Sequence, residues 1–93
     1  MPYITQARRE AFQDFESKVS SLRIDSAGEL NYLLTKLMLT YLSQHGMNYR
    51  ICNEIIGAAN CAVLEFYRRK VAPSEDKKCA ENGDVFQVTG ATE

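Results

Sequence analysis

The sequence has few of the residues that metal centres and catalytic sites use. Among its 93 residues there are one histidine, three cysteines, two prolines and no tryptophan. It contains no C-x-x-C pair, no H-E-x-x-H or G-x-S-x-G motif, and no glycine-rich phosphate loop. Cys52 and Cys61 face opposite sides of a predicted helix, so they cannot form a disulfide within it. We therefore expect no metal, no cofactor and no enzyme made by one chain, with His45 acting at a helix end beside Gly46.

Long apolar runs and an excess of charge of one sign are also absent. No apolar run approaches the length of a membrane span, and "MPYITQARRE" lacks the apolar stretch of a signal peptide. The formal net charge is −1, which disfavours nucleic acid and anionic membranes as partners. With 45% hydrophobic and 25% charged residues, the composition is that of a globular protein. We expect a cytoplasmic protein, whichever cell contains it.

The spacing of apolar residues predicts an all-α fold with three helices. The first runs from about residue 6 to 22, with Thr5 as its N-cap and with a single apolar stripe. That stripe consists of Phe12, Phe15, Val19 and Leu22. The remaining positions are mostly polar, so this segment is typical of an amphipathic surface helix.

Two further helices, at about 27–45 and 49–71, are predicted to form an antiparallel hairpin because their connection is short. Ser26 and Glu29 have capping-box spacing, Gly46 suits a helix end, and Asn48 suits the next N-cap. Pro73 is expected to end the last helix. Residues 1–73 then form the helical domain and residues 74–93 an extended or docking tail, in which Val85, Phe86 and Val88 could make a short extended segment.

Both long helices carry apolar or small residues on more than one face. On the second helix, Tyr32 and Leu39 lie opposite the main apolar arc. On the third, the back surface includes Gly57 in a helix interior, where glycine costs about 1 kcal/mol relative to alanine. One interpretation is a compact bundle that buries both faces with the tail as a lid. The other, which we favour, is a homo-oligomer. The expected interface comprises Leu39, Asn53, Gly57, Asn60, Cys61 and Leu64.

The basic segment "YRRK", residues 67–70, is the best local indication of a ligand site. Its simple interpretation is an ion pair from Glu65 to Arg68 or Arg69 on a solvated helix end. Alternatively, Arg68 and Arg69 bind phosphate while Tyr67 stacks on a base or ribose. Tyr32, Asn31 and Thr35 could complete such a pocket at an oligomer interface, or could serve packing and helix hydrogen bonding alone.

Three separated motifs resemble a family of small proteins found in bacteriophage and some bacterial genomes and classed as a domain of unknown function. They are "MPYIT", "GELNYLLTKL" and "CAVLEFYRRKVAPSEDKKCAENGDVF", and the resemblance covers about residues 1–86. Ser74 stands where the family pattern has an aromatic residue, and "QVTGATE" extends past its usual end. The resemblance places emphasis on positions in all three parts of the chain: Gly28, Glu29, Leu30, Asn31, Tyr32, Tyr67, Arg68, Arg69, Pro73, Glu75, Asp76, Lys78, Asn82, Gly83 and Asp84.

These features lead to one expected function and two alternatives. The expectation is a non-catalytic phage-type binding protein, a homo-oligomer that sequesters a small anionic, nucleotide-like host signal and so acts against host defence. The first alternative is an adaptor or inhibitor that binds a host protein through the second apolar face. The second alternative is a structural or accessory helical oligomer.

Overall fold

The structure is a computed structural model that describes residues 1–86, and the described chain is all-α, as the sequence predicts. Its elements, in chain order, are α1 (Gln6–Arg9), a 3₁₀ turn (Glu10–Phe12), α2 (Gln13–Ser21), α3 (Ala27–His45), α4 (Tyr49–Phe66), a π-helical segment (Tyr67–Val71) and α5 (Ala72–Asn82). No strand occurs among residues 1–86.

The N-terminal helix is interrupted, where the sequence predicts one continuous helix over about 6–22. Thr5 is the expected N-cap, since its hydroxyl accepts a hydrogen bond from the Arg8 amide at 3.3 Å. The backbone of Phe12 (φ −111°, ψ 8°) leaves the helical region, and this separates α1 from α2. Leu22 is already extended, so the helix ends at Ser21.

α3 begins and ends where its capping residues indicate. The Glu29 amide donates to Ser26 Oγ at 3.1 Å, and Gly46 ends the helix with a positive φ of 91°. The Glu29 carboxylate accepts a hydrogen bond from the Asp25 amide at 2.8 Å. In a regular capping box that donor would be the amide of Ser26, so the reciprocal bond is shifted by one residue.

α4 starts after a three-residue connection and packs against α3. Asn48 Oδ1 accepts from the Ile51 amide at 3.0 Å, which makes Asn48 the N-cap. Tyr41 in the C-terminal half of α3 donates to Glu54 in the N-terminal half of α4 at 2.6 Å, as an antiparallel pair requires. Ile51, at 1% exposure, is the one fully buried hydrophobic side chain among the described residues.

The expectation that Pro73 ends the last helix is wrong. Helical structure continues through a π turn, in which the Ala72 amide bonds to the Tyr67 carbonyl five residues back, and into α5. Proline clashes in a helix because its ring meets the carbonyl four residues earlier and because it has no N–H to donate. The wider turn places Pro73 in the first turn of α5, where neither penalty applies.

The C-terminal tail is therefore not extended over residues 74–82, which belong to α5. Gly83, with a φ of 96°, ends that helix. Val85 and Phe86 are exposed and outside any strand. Val88, the third residue of the predicted extended segment, lies outside the described residues. The division into domains at residue 73 stays a prediction.

The chain is far more open than a compact domain of its size. Its radius of gyration is 18.5 Å, whereas about 12 Å is typical of 93 residues in a compact fold. α2 does not pack extensively on α3 or α4. The described chain thus does not form the compact bundle that was the alternative to self-association.

Candidate functional site

The basic segment 67–70 lies on the π turn, and Arg68 is already engaged there. Its Nε and Nη2 atoms donate to the two carboxylate oxygens of Glu65 at 2.7 and 3.1 Å, which is the paired geometry that arginine forms with carboxylates. This is the ion pair that the simpler interpretation of the basic segment expects. The side chain of Arg68 therefore has fewer donors left for a ligand than the sequence alone indicates.

Glu65 is the centre of a small polar cluster that also includes the N-terminal arm. The Tyr3 hydroxyl donates to Glu65 Oε2 at 2.6 Å, and Arg69 Nη2 lies 3.5 Å from the same hydroxyl. Hydrogen bonds from Arg68 and then from Tyr3 lower the pKa of Glu65 to about 2. The carboxylate therefore stays charged at neutral pH and holds the arm against α4.

Arg69 and Lys70 remain the cations of this segment with most of their donors facing solvent. Within the described residues, the only side-chain hydrogen bond of Arg69 is the 3.5 Å one to Tyr3, and the Lys70 side chain makes none. Tyr67 next to them is exposed. The structure thus leaves two cations and one aromatic ring exposed within the four residues 67–70.

The second group of predicted ligand residues, Asn31, Tyr32 and Thr35, shares a shallow open depression at the start of α3. Thr35 Oγ1 donates to Asn31 Oδ1 at 3.1 Å, so these two polar side chains already satisfy each other in part. Lys36 Nζ lies 5.5 Å from the centre of the exposed Tyr32 ring. Lys36 is a cation at this place that sequence analysis missed, although its spacing of four residues from Tyr32 would have indicated it.

Within the described residues, Arg68 and the second group line different depressions. Arg68 lies in one with the N-terminal arm, Cys61 and Leu64, whereas Tyr32 lines the depression on α3.

All six predicted interface residues are exposed. Leu64 is 68% exposed, although Tyr3 of the N-terminal arm lines the same depression. A methyl group added at Gly57 would meet nothing within 4 Å, so the chain itself gives no reason for a glycine there. The interface assignment stays a prediction, and the exposure of these residues is what it requires.

An apolar groove between α3 and α4, which we call the α3–α4 groove, was not singled out in the sequence. It has a volume of about 330 Å³ and is lined by Leu34, Leu37, Met38, Tyr41, Glu54, Ile55, Ala58 and Ala59. At its polar end Arg50 bonds to Glu54 at 2.9 Å, and the His45 ring lies against Tyr41 with a centroid distance of 4.2 Å. The hydrogen bond between Tyr41 and Glu54 raises the pKa of the phenol and lowers that of the carboxyl group.

The described residues offer no obvious place for a metal ion. Among residues 1–86, no three or more histidine, cysteine or acidic side chains are grouped so that they could hold one. The three cysteines are free thiols. None of the described helices has the length and apolar character that crossing a membrane requires.

The fold and these surfaces define an all-α protein whose helices leave apolar faces uncovered. Residues 1–85 match a protein family described as a domain of unknown function (DUF6899), and the chain belongs to that family. This confirms the resemblance to an uncharacterised family. No curated protein and no solved structure matches the chain.

Proposed function

We propose that the chain is a non-catalytic binding protein that works as a homo-oligomer and sequesters a small anionic, nucleotide-like ligand. The observation that carries the proposal is the lack of a core in the isolated chain. Ile51 is its one fully buried hydrophobic side chain in the described part, while residues on every helix from α2 to α4 remain exposed. Such surfaces are usually covered by another protein molecule.

The exposed area is large enough for a stable assembly. The chain exposes 8553 Å², whereas a compact protein of 10.5 kDa exposes about 5,400 Å². The excess of about 3,100 Å² per chain exceeds the ~800 Å² per partner of a standard interface and also the ~1,000–2,500 Å² per partner of obligate homo-oligomers. A small chain with this much uncovered surface gains stability most simply by pairing with copies of itself.

The surface cations support an anionic ligand. Arg69, Lys70 and Tyr67 are adjacent and exposed, and Lys36 lies beside Tyr32. Arginine donates in a planar geometry that matches phosphate, and tyrosine stacks on bases. Only Arg68 of the basic segment lines a depression, and Tyr32 lines a different one. An assembly that brought the two groups together would supply cations and aromatic rings to one ligand. We further propose that the ligand is a host signal and that a phage encodes the protein.

Native mass spectrometry of freshly purified protein tests the proposal, because it weighs the assembly and any bound small molecule together. We expect a homo-oligomer that releases a compound with nucleotide-like ultraviolet absorbance when it is denatured. Arg69→Gln should abolish that release without changing the assembly. Arg23→Gln is the matched control, since Arg23 is an exposed arginine that bonds to Asp25 away from the basic segment.

A single ten-kilodalton particle without a ligand would overturn the proposal. An oligomer that carries no small molecule, and whose unfolding temperature does not change with a panel of nucleotides and cyclic oligonucleotides, would overturn its ligand part alone.

The same exposed faces favour a second candidate, an adaptor or inhibitor that binds a host protein. Leu39 and Leu64 are large apolar residues on the faces away from the α3–α4 groove and are exposed in the chain. In that case Leu39→Glu and Leu64→Glu would abolish capture of one defined host protein. If they instead give a folded single chain, these faces serve self-association.

A further inference from the structure

The α3–α4 groove and the stripe on the N-terminal helix are two apolar surfaces that the chain leaves without a partner. The groove includes Leu34, Leu37 and Met38, all exposed. The stripe includes Phe15 and Val19, which are four residues apart in α2 and so lie on one face. No residue of α1 or α2 lines the groove.

We propose that α2 of one copy docks in the α3–α4 groove of a second copy, and that the second copy returns the same contact. This inference rests on the proposed self-association and adds to it one contact, separate from the predicted interface around Gly57. The resulting dimer is symmetric, with two equal contacts, each made of a stripe from one chain and a groove from the other.

The stripe of α2 fits within the length of the groove. Phe15 and Val19 are four positions apart in α2, about 6 Å along the axis, and Leu34 and Tyr41 are seven positions apart in α3, about 10 Å. The groove between α3 and α4 is the place where a third helix packs in a helical bundle. Docking of α2 would thus complete a three-helix arrangement with a helix supplied by the other chain.

Contacts at both ends of the 6–21 segment oppose the same docking within one chain. Before the segment, Tyr3 is held by Glu65. After it, Leu22 is extended, and the Asp25 amide is held by the Glu29 carboxylate in the first turn of α3. The nearest groove residue, Leu34, lies five residues further along α3, which is about 7 Å. To reach its own groove, α2 would have to break these contacts.

Phe15 is the most suitable residue of the stripe for a test. Arg8 covers the Phe12 ring, with its guanidinium carbon 5.2 Å from the ring centre, whereas the Phe15 ring has no such cover. In the groove, Met38 is exposed to 37% and Phe15 in the stripe to 49%, so a charge at either position is tolerated in the single chain. A charge buried without a partner in the docked state would weaken each contact about a hundredfold or more.

The test is a complementation experiment with Phe15→Lys and Met38→Glu. Each variant alone damages both contacts of the dimer, so each is expected to stay folded and to sediment with a lower mass than the wild type. In an equimolar mixture, one contact joins the intact stripe of the Met38→Glu chain to the intact groove of the Phe15→Lys chain. The other places the new lysine against the new glutamate. We expect the mixture to form a one-to-one dimer.

Met47→Glu is the control, because Met47 is an exposed methionine in the connection between α3 and α4, outside both surfaces. It should associate like the wild type, and circular dichroism should show equal helix content in all variants. The inference is overturned if either variant alone keeps the sedimentation mass of the wild type, or if the mixture does not regain that mass. A ligand-free wild-type dimer with successful complementation would support this inference while contradicting only the ligand part of the proposed function.

Discussion

Individual side chains in this protein hold elements together mainly through polar contacts. Tyr3 and Glu65 are 62 positions apart, yet their hydrogen bond fixes the N-terminal arm to α4. The sequence indicated an ion pair of Glu65 with Arg68 or Arg69, since residues three or four apart are neighbours on a helix, and the structure shows the pair with Arg68. It contains no comparable indication for Tyr3, because nothing local relates a residue in an arm to one on a distant helix.

The ionisation of Glu65 is predicted to make part of the stability depend on pH. Its pKa is lowered from 4.5 to about 2, so the contribution of the carboxylate is complete above 4.5 and is lost as the pH falls through about 2. Glu65→Gln should therefore unfold at a lower temperature than the wild type at neutral pH, and the difference should vanish in acid. Glu16→Gln, on exposed α2, should show no such pattern. A difference that stays constant down to acid pH would contradict the assignment.

Gly57 provides a second prediction at the scale of one residue. In the single chain a methyl group at this position meets open space, so Gly57→Ala should increase helix stability by about 0.5–1 kcal/mol when the protein is dilute. If the back of α4 is an interface, the same methyl should weaken association. We expect both effects, measured by circular dichroism at low concentration and by ultracentrifugation.

Gly28→Ala is the matched control in another helix, where the added methyl meets only Ser26 Oγ at 3.7 Å. An unchanged association constant for Gly57→Ala would remove Gly57 from the interface.

At the scale of the helices, capping residues predicted where most helices start and end, but they did not predict where a helix continues or is interrupted. The N-caps Thr5, Ser26 and Asn48 all make the expected bonds, and Gly46 ends α3 as predicted. The prediction failed at Pro73, because a regular α-helix excludes a proline that a π turn can accommodate. Sequence reasoning also missed the interruption at Phe12, since the apolar spacing continues through it unchanged.

The position of Pro73 can be tested by two substitutions in the same helix. Pro73 lies in the first turn of α5, so Pro73→Ala should change stability by less than about 1 kcal/mol. Lys77→Pro, placed in the interior of α5, should cost about 3 kcal/mol of helix stability. Denaturant titrations followed by circular dichroism would compare them. Similar losses of stability for both variants would mean that residues 72–82 do not form a helix with Pro73 in its first turn.

At the scale of the whole molecule, the all-α class was predictable and the openness was not. Periodicity shows which residues are apolar on a face, but it does not show whether that face meets the same chain or another one. The same holds for the candidate ligand sites. The sequence singled out residues at 31–35 and 67–70 as candidates, but it did not show that Arg68 and Tyr32 line different depressions, nor that a groove lies between α3 and α4.

Association is predicted to make stability depend on protein concentration. If the exposed faces of α2, α3 and α4 are covered only by another copy, the unfolding temperature should rise steadily as the protein is concentrated. Scattering measured in parallel should show a radius of gyration near 18.5 Å only at the lowest concentrations. An unfolding temperature that is independent of concentration over the micromolar range would contradict this prediction.

The π turn at Tyr67–Val71 also has a consequence for changes in chain length. Its hydrogen bond spans five residues, where a regular α turn spans four, so the turn holds one residue more than the helix needs. Removal of a single residue there would leave a regular α turn and keep the side chains of α4 and α5 on their present faces. Pro73 would then lie inside a regular α-helix, so the same change would have to replace it. Elsewhere in α3 or α4, a one-residue deletion would rotate every following side chain by about 100° off its face. The region of Pro73 is therefore where relatives without this proline can be one residue shorter and keep the helix.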